Sequence, residues 1–318
     1  MVAERRDGSS EGVPSERVDS RSGSSASSTS PLGPVVAVLG VAVLFGTTGT
    51  ALAKAPAGTD ALAAGAVRLL LGGAALCLLA GRRLLVWRTH RPPLIVGALG
   101  VAIYQLGFFE ATQRTGVAMA TVITIAVSPL ASRIIGSVRG RPAPAPLWYV
   151  AAALIAVGLV LLVLDGTGRI ESDGLGIVAA ALAGASYALY TEAGSTAIDA
   201  GADSTGTMAV LFVGGGVIAS PVLLVRDLAW LAEGRGLIVM AWLAFITLTL
   251  AYVAFGWGLR TLAPTTVVML TLLEPAVAAT LAVIFLDETL SGSAWLGAAL
   301  VVAAMPMVAL SARTTVRT

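Results

Sequence analysis

Apolar residues gather in runs of about 20, close to the length of helix that crosses ~30 Å of hydrocarbon, and short polar links separate these runs from Pro34 to the C-terminal end. The pattern predicts ten spans, near residues 34–55, 61–80, 94–113, 117–136, 147–165, 174–195, 206–225, 237–258, 264–286 and 292–312. The links before Val117 and Pro264 are the shortest, but one helix through either would be far longer than the bilayer is thick. Before the first run, residues 1–33 are Ser-, Gly- and Arg-rich with scattered acids, too poor in large apolar groups to offset chain entropy by burial. They read as a disordered tail. The first run lies too far from Met1 for a secretory signal, so it reads as a retained helix.

The chain also matches itself. Shifted by 146 positions, Arg114-Thr115 falls on Arg260-Thr261, Pro129 on Pro275, and Ala152-Ala153-Leu154 on Ala298-Ala299-Leu300. The first helices need a shift of about 141, which brings Leu44-Phe45-Gly46 near Ala185-Ser186-Tyr187. Five helices per unit is an odd number, so the second unit enters the membrane in the opposite sense. The expected fold is therefore an all-α integral membrane protein of two inverted five-helix repeats, the plan many secondary carriers use for alternating access around a midplane site. Its parts are the tail 1–33, a first repeat 34–165, a second repeat 171–312 and a short tail 313–318.

Composition narrows the functional classes. With 57% hydrophobic and 12% charged residues, far below the quarter typical of soluble domains, lipid must cover most of the surface. The net charge of +2 comes from arginines at span edges, so no nucleic-acid partner is expected. With the N-terminus inside, the short cytoplasmic loops collect Arg82, Arg83, Arg88, Arg91, Arg139, Arg141, Arg260, Arg313 and Arg317, against Lys54, Arg114, Arg169, Arg226 and Arg235 outside. Both termini are therefore expected in the cytoplasm of a cell with a plasma or inner membrane. Cys77 is the sole cysteine and His90 the sole histidine, and no His-Glu-x-x-His or Gly-x-x-x-x-Gly-Lys-Ser/Thr sequence occurs. No metal, cofactor, enzymatic activity or ATP hydrolysis is expected. A channel, or a membrane enzyme without a recognisable motif, stays open as the alternative, and oligomeric state does not follow.

The second repeat holds Leu273-Glu274-Pro275, then Phe285-Leu286-Asp287-Glu288-Thr289-Leu290 and Trp295-Leu296-Gly297-Ala298-Ala299-Leu300. This stretch, with the repeat and the proline placement, resembles the EamA family of the drug/metabolite transporter superfamily across nearly all of 34–312. The resemblance implies export of amino acids or other small metabolites without naming the cargo. It also departs from the family pattern: the first-repeat position equivalent to Glu288 is Pro142, so that loop glutamate is not needed in both halves.

Polar residues at membrane depth are the candidate site. Glu274, near the bilayer centre, carries a cost of roughly 3 kcal/mol if ionised in lipid and so is expected to face a cavity, taking up a proton or a cationic group. Tyr104, Gln105, Tyr187, Tyr190 and Tyr252 are candidate contacts for a small-molecule substrate. Arg68 and Glu110 sit at similar depth and are expected to pair, as a static lock, an outer gate or a zwitterion site. Pro129 and Pro275 free the carbonyls of Ile125 and Thr271 and are candidate hinges. Glu192 and Arg133, near cytoplasmic ends, are expected to snorkel, and Trp257 to anchor at the interface.

Overall fold

The fold is described from a computed structural model, over residues 32–164 and 173–313. The expected tail 1–33 up to residue 31, the link around Arg169 and residues 314–318 lie outside the described residues. Ten helices among the described residues are long and apolar enough to span a bilayer: α1 (Leu32–Ala53), α2 (Ala61–Ala80), α3 (Arg91–Gly116), α4 (Met119–Val138), α5 (Pro146–Leu164), α6 (Gly174–Asp199), α7 (Ser204–Ala219), α8 (Gly234–Leu259), α9 (Pro264–Leu286) and α10 (Gly292–Arg313). Odd-numbered helices begin at the face where α1 starts, the N-terminal face, and even-numbered helices at the opposite face. Exposed large apolar side chains on every one of them, such as Leu78, Ile134, Ile238 and Phe285, form the lipid-facing surface.

Local chemistry sets the boundaries. Proline occupies an early helical position in α3 and α9, where its missing N–H costs no bond. The helical run from Arg91 to Val138 is broken by Gly116 at φ 79°, a left-handed conformation that glycine alone adopts at no steric cost, and this splits α3 from α4. At the other short link, the amides of Thr261 and Leu262 close a turn on the Gly258 carbonyl before Pro264 restarts the chain.

A shift of 143 residues, missed in the sequence reading, relates α2 and its sequel to α7 and its sequel. Asp60 caps α2 through the Ala63 amide at 2.8 Å and holds Arg226 at 3.2 Å. Its counterpart Asp203 caps α7 through the Gly206 amide at 2.9 Å and faces Arg83, the counterpart of Arg226, at 3.9 Å. The two pairs stand at opposite faces and each crosses between repeats, as an inverted repeat requires. Between them α2 and α7 pack antiparallel through Gly73 and Gly216. A Cβ on Gly73 would lie 2.7 Å from the Val213 backbone, and one on Gly216 would lie 3.0 Å from that of Leu69.

The same device joins α5 to α10, where a Cβ on Gly158 would meet the Gly297 carbonyl oxygen and one on Gly297 the Gly158 carbonyl oxygen. Lipid offers no hydrophobic drive for helix association, so such close packing supplies it. Gly158→Val is expected to lower stability by about 1–3 kcal/mol through overpacking. Gly40→Ala, at a site with nothing within 4 Å, should leave it unchanged. Thermal unfolding in detergent compares the two, and equal midpoints would remove the glycine contact as a stabilising element.

Candidate functional site

The core between the repeats is aromatic. Tyr190 is buried among Tyr187, Tyr104, Phe212 and Tyr252, with ring centroids 5.2, 6.1, 5.8 and 6.4 Å away. Buried phenol groups need partners, and they find them across helices: Tyr190 and Tyr252 hydroxyls lie 2.8 Å apart, and Tyr187 Oη lies 2.7 Å from Thr271 Oγ1. Because Thr271 Oγ1 donates its own hydrogen to the Val268 carbonyl at 2.8 Å, Tyr187 is the donor in that second contact.

Helix α9 is interrupted beside this cluster. Its first half ends at Thr271, Leu272 and Leu273 form a turn, and a second half begins at Glu274. Pro275 lacks the amide that would bond the Thr271 carbonyl, so the break follows from the sequence. Glu274 thus stands at the N-terminus of a half-helix near mid-membrane, with its carboxyl toward a cavity. Pro129 behaves differently, since α4 runs through it without interruption.

Two adjoining cavities, of about 150 and 40 Å³, are lined by all the candidate contact residues but Glu110, and by neither candidate hinge proline. Arg68, Tyr104, Gln105, Tyr252 and Glu274 line the larger one; Tyr187 and Tyr190 line the smaller, together with Tyr104, Tyr252 and Glu274. The larger volume exceeds the 10–15 Å³ that one water needs, and its other walls are mostly apolar, Phe45, Phe108, Phe109 and Ile125 among them, with hydroxyls only from Thr48, Thr121 and Thr124. It extends from mid-span toward the opposite face, as its lining by Thr48, Phe109 and Thr121 indicates.

Glu110 is the exception, and the expected Arg68–Glu110 pair does not form. Glu110 Oε1 instead accepts from Arg114 Nε at 2.6 Å, one helical turn away on α3, and is half-exposed. Arg114 also holds Asp173 at 3.1 Å. The Asp173 carboxyl, held below the usual carboxylate range first by the Gly176 amide and then by Arg114, caps α6. Its contribution is complete above the ordinary carboxylate pKa and is lost as pH falls through the lowered one. Matching depth is not matching azimuth: Arg68 points inward, donating from Nη2 to the Thr247 carbonyl at 3.1 Å. That carbonyl lies in a π-helical stretch of α8, Trp242–Leu250, an irregularity frequent at functional sites. Arg68 Nε is buried and has no hydrogen-bond partner among the described residues.

Glu192 is the second correction. It does not snorkel, because its side chain is 1% exposed and lies 2.9 Å from Arg141 Nη1 and 3.0 Å from Ser132 Oγ. Arg141 also reaches Asp199 at 3.4 Å, tying the α4–α5 link to α6 at the N-terminal face. Sequence reasoning missed this network because its partners are about 50 residues apart. Arg133 reaches Tyr149 at 3.4 Å in exposed surroundings, and Trp257 is exposed near the end of α8.

Ten apolar helices in two inverted repeats, closed over a polar cavity, define a multi-pass membrane protein of the transporter type. The EamA-like transporter family profile matches residues 32–164 and again 174–310, and the chain belongs to that family. It is 35% identical over 278 residues to an uncharacterized transporter, YwfM, of Bacillus subtilis (strain 168), covering 87% of this chain and 93% of that protein. A crystal structure of another protein superposes with a TM-score of 0.75 at 20% identity, covering 89% of this chain and 99% of that one, a likeness of fold alone. The protein is a membrane transporter.

Proposed function

We propose that the chain is a secondary carrier that moves a small amphipathic zwitterion, such as an amino-acid-like metabolite, outward across the plasma or inner membrane by alternating access. The observation that carries this reading is the placing of Arg68 on α2 and Glu274 on α9, one from each repeat, around a single cavity without an ion pair within 4 Å between them. Two opposite charges held apart in an apolar surround match a ligand with a carboxylate at one end and an ammonium at the other. The Arg68 guanidinium serves the carboxylate, the Glu274 carboxylate serves the ammonium, and Phe45, Phe108 and Tyr252 flank an apolar side chain. This reading puts both termini in the cytoplasm, and the arginine bias of the N-terminal face supports it. The cavity extends toward the opposite face, which this reading takes as the outside, while the Arg141–Glu192 network ties the helices at the N-terminal face, and transport would reverse that arrangement.

Purified protein in liposomes tests this with a panel of radiolabelled amino-acid-like compounds. Saturable counterflow is expected for at least one zwitterion, with its decarboxylated amine and its deaminated acid each inactive as competitors. Equal competition by the amine or the acid would refute the two-ended site, and single-channel conductance would replace the carrier by a channel.

A further inference from the structure

The inverted repeat supplies an internal control for residues outside the cavity, because the same scaffold is built twice. After α2 the chain forms a 3-10 turn, Gly81–Leu85, and a short helical turn, Val86–Thr89. After α7, at the 143-residue shift, the second turn recurs as Ala229–Ala232, with Trp230 in the place of Trp87 and Arg226 in that of Arg83. The two copies have opposite fates. At the opposite face Trp230 is 3% exposed, packs with Val239, Met240 and Leu243, and donates from Nε1 to the Asp227 carbonyl at 3.1 Å. At the N-terminal face Trp87 is 41% exposed beside exposed Leu85, and the lower end of α2 presents Leu78 and Leu79 to the bilayer.

Charge diverges with burial. The segment Gly81–Arg91 carries Arg82, Arg83, Arg88 and Arg91 and no acid, whereas its counterpart, 224–234, carries Arg226 with Asp227 and Glu233. Arg83 has a structural task, facing Asp203. Arg82 and Arg88 do not: they are exposed, make no ion pair or side-chain hydrogen bond among the described residues, and occupy positions that the second repeat fills with Val225 and Leu231. The fold therefore does not demand them. Together with Gly81, Leu84, Leu85 and Trp87 they line an open groove of about 450 Å³. The tendency of arginine to collect on one face accounts for their number, but not for two free guanidinium groups flanking an unburied indole at the level of the membrane interface.

We infer that this ledge binds the headgroup of an anionic phospholipid. Arg82 and Arg88 hold the phosphodiester, Trp87 sits at headgroup level, and the acyl chains run down past Leu79 and Leu78. An acidic soluble protein fits less well, since the apolar half of the groove faces hydrocarbon rather than water. The site is separate from the transport cavity and does not depend on the substrate.

The test uses full-length protein in mild detergent, titrated with phosphatidylglycerol, phosphatidylcholine or inorganic phosphate, with bound lipid counted by native mass spectrometry and unfolding followed thermally. Wild-type protein is expected to retain phosphatidylglycerol at least about tenfold more tightly than phosphatidylcholine, and to melt higher with it, while inorganic phosphate does neither. The double variant Arg82→Val/Arg88→Leu, which installs the residues the second repeat tolerates, is expected to lose that preference about tenfold. Arg260→Gln, at the same face but outside the groove, should keep it. Where the double variant fails to fold, a photoactivatable phosphatidylglycerol on wild-type protein is read instead, with cross-links expected within 78–91. Equal retention of both lipids, full preference in the double variant, protection by phosphate alone, or cross-links confined elsewhere would each overturn the site.

Discussion

Glu274→Gln is expected to insert and fold like the parent while raising the half-saturating concentration of a zwitterionic substrate by roughly 30-fold or more, with the same direction for Arg68→Gln. Removing one partner of a buried charged contact costs about 2–5 kcal/mol, and the lower bound converts to that factor. Gln keeps the size and hydrogen-bonding edge of Glu but not its charge, so Glu274→Gln isolates charge from shape, whereas Arg68→Gln removes both. The break in α9 depends on Pro275 and survives the change. Counterflow at several substrate concentrations, normalised to protein incorporated, reads the effect. Unchanged half-saturation in both variants would remove the charged pair from the binding site.

Arg141→Ala is expected to unlatch the N-terminal face. It leaves the Glu192 carboxylate, buried against α4, without the cation 2.9 Å away, and breaking a buried pair in this manner costs about 3–5 kcal/mol. The cost falls on the conformation closed at that face, so the population moves toward the one open there. A cysteine at Ser128, buried at 1% exposure in the smaller cavity, reports the shift in a Cys77→Ser background: a thiol reagent applied from the N-terminal face should label it faster in the variant. Adding Glu192→Leu to Arg141→Ala should restore slow labelling, because it removes the buried charge that has lost the Arg141 cation. Identical labelling rates in all three proteins would mean that the network holds nothing shut.

Helix count, spans and repeat were legible because bilayer thickness and an odd number of crossings leave few alternatives. The proline of α9 announced its break in the letters Glu274-Pro275. The errors share one cause. Arg68 and Glu110 were matched by depth along their helices, which says nothing of direction around them, and Arg114 at the next turn was the nearer partner for Glu110. Glu192 was judged by distance from a helix end, while its burial is decided by Arg141 on a different segment. The carbonyl that receives Arg68 exists because α8 widens into a π-helix, which local propensity does not signal. The 143-residue register escaped notice because the three parts of each repeat are spaced differently, so no single shift aligns them.

The crossed capping pairs at Asp60–Arg226 and Asp203–Arg83 have a mechanical meaning. Each links the start of one central helix to the chain leaving the other, one at each face, and Gly73 and Gly216 bring the two shafts close between them. Helices α2 and α7 thereby form an axle that neither half owns. In the carrier proposed above, the exchange of access between the two sides turns about this axle, and the broken α9 and the helices that carry the Arg141–Glu192 network are the parts that swing.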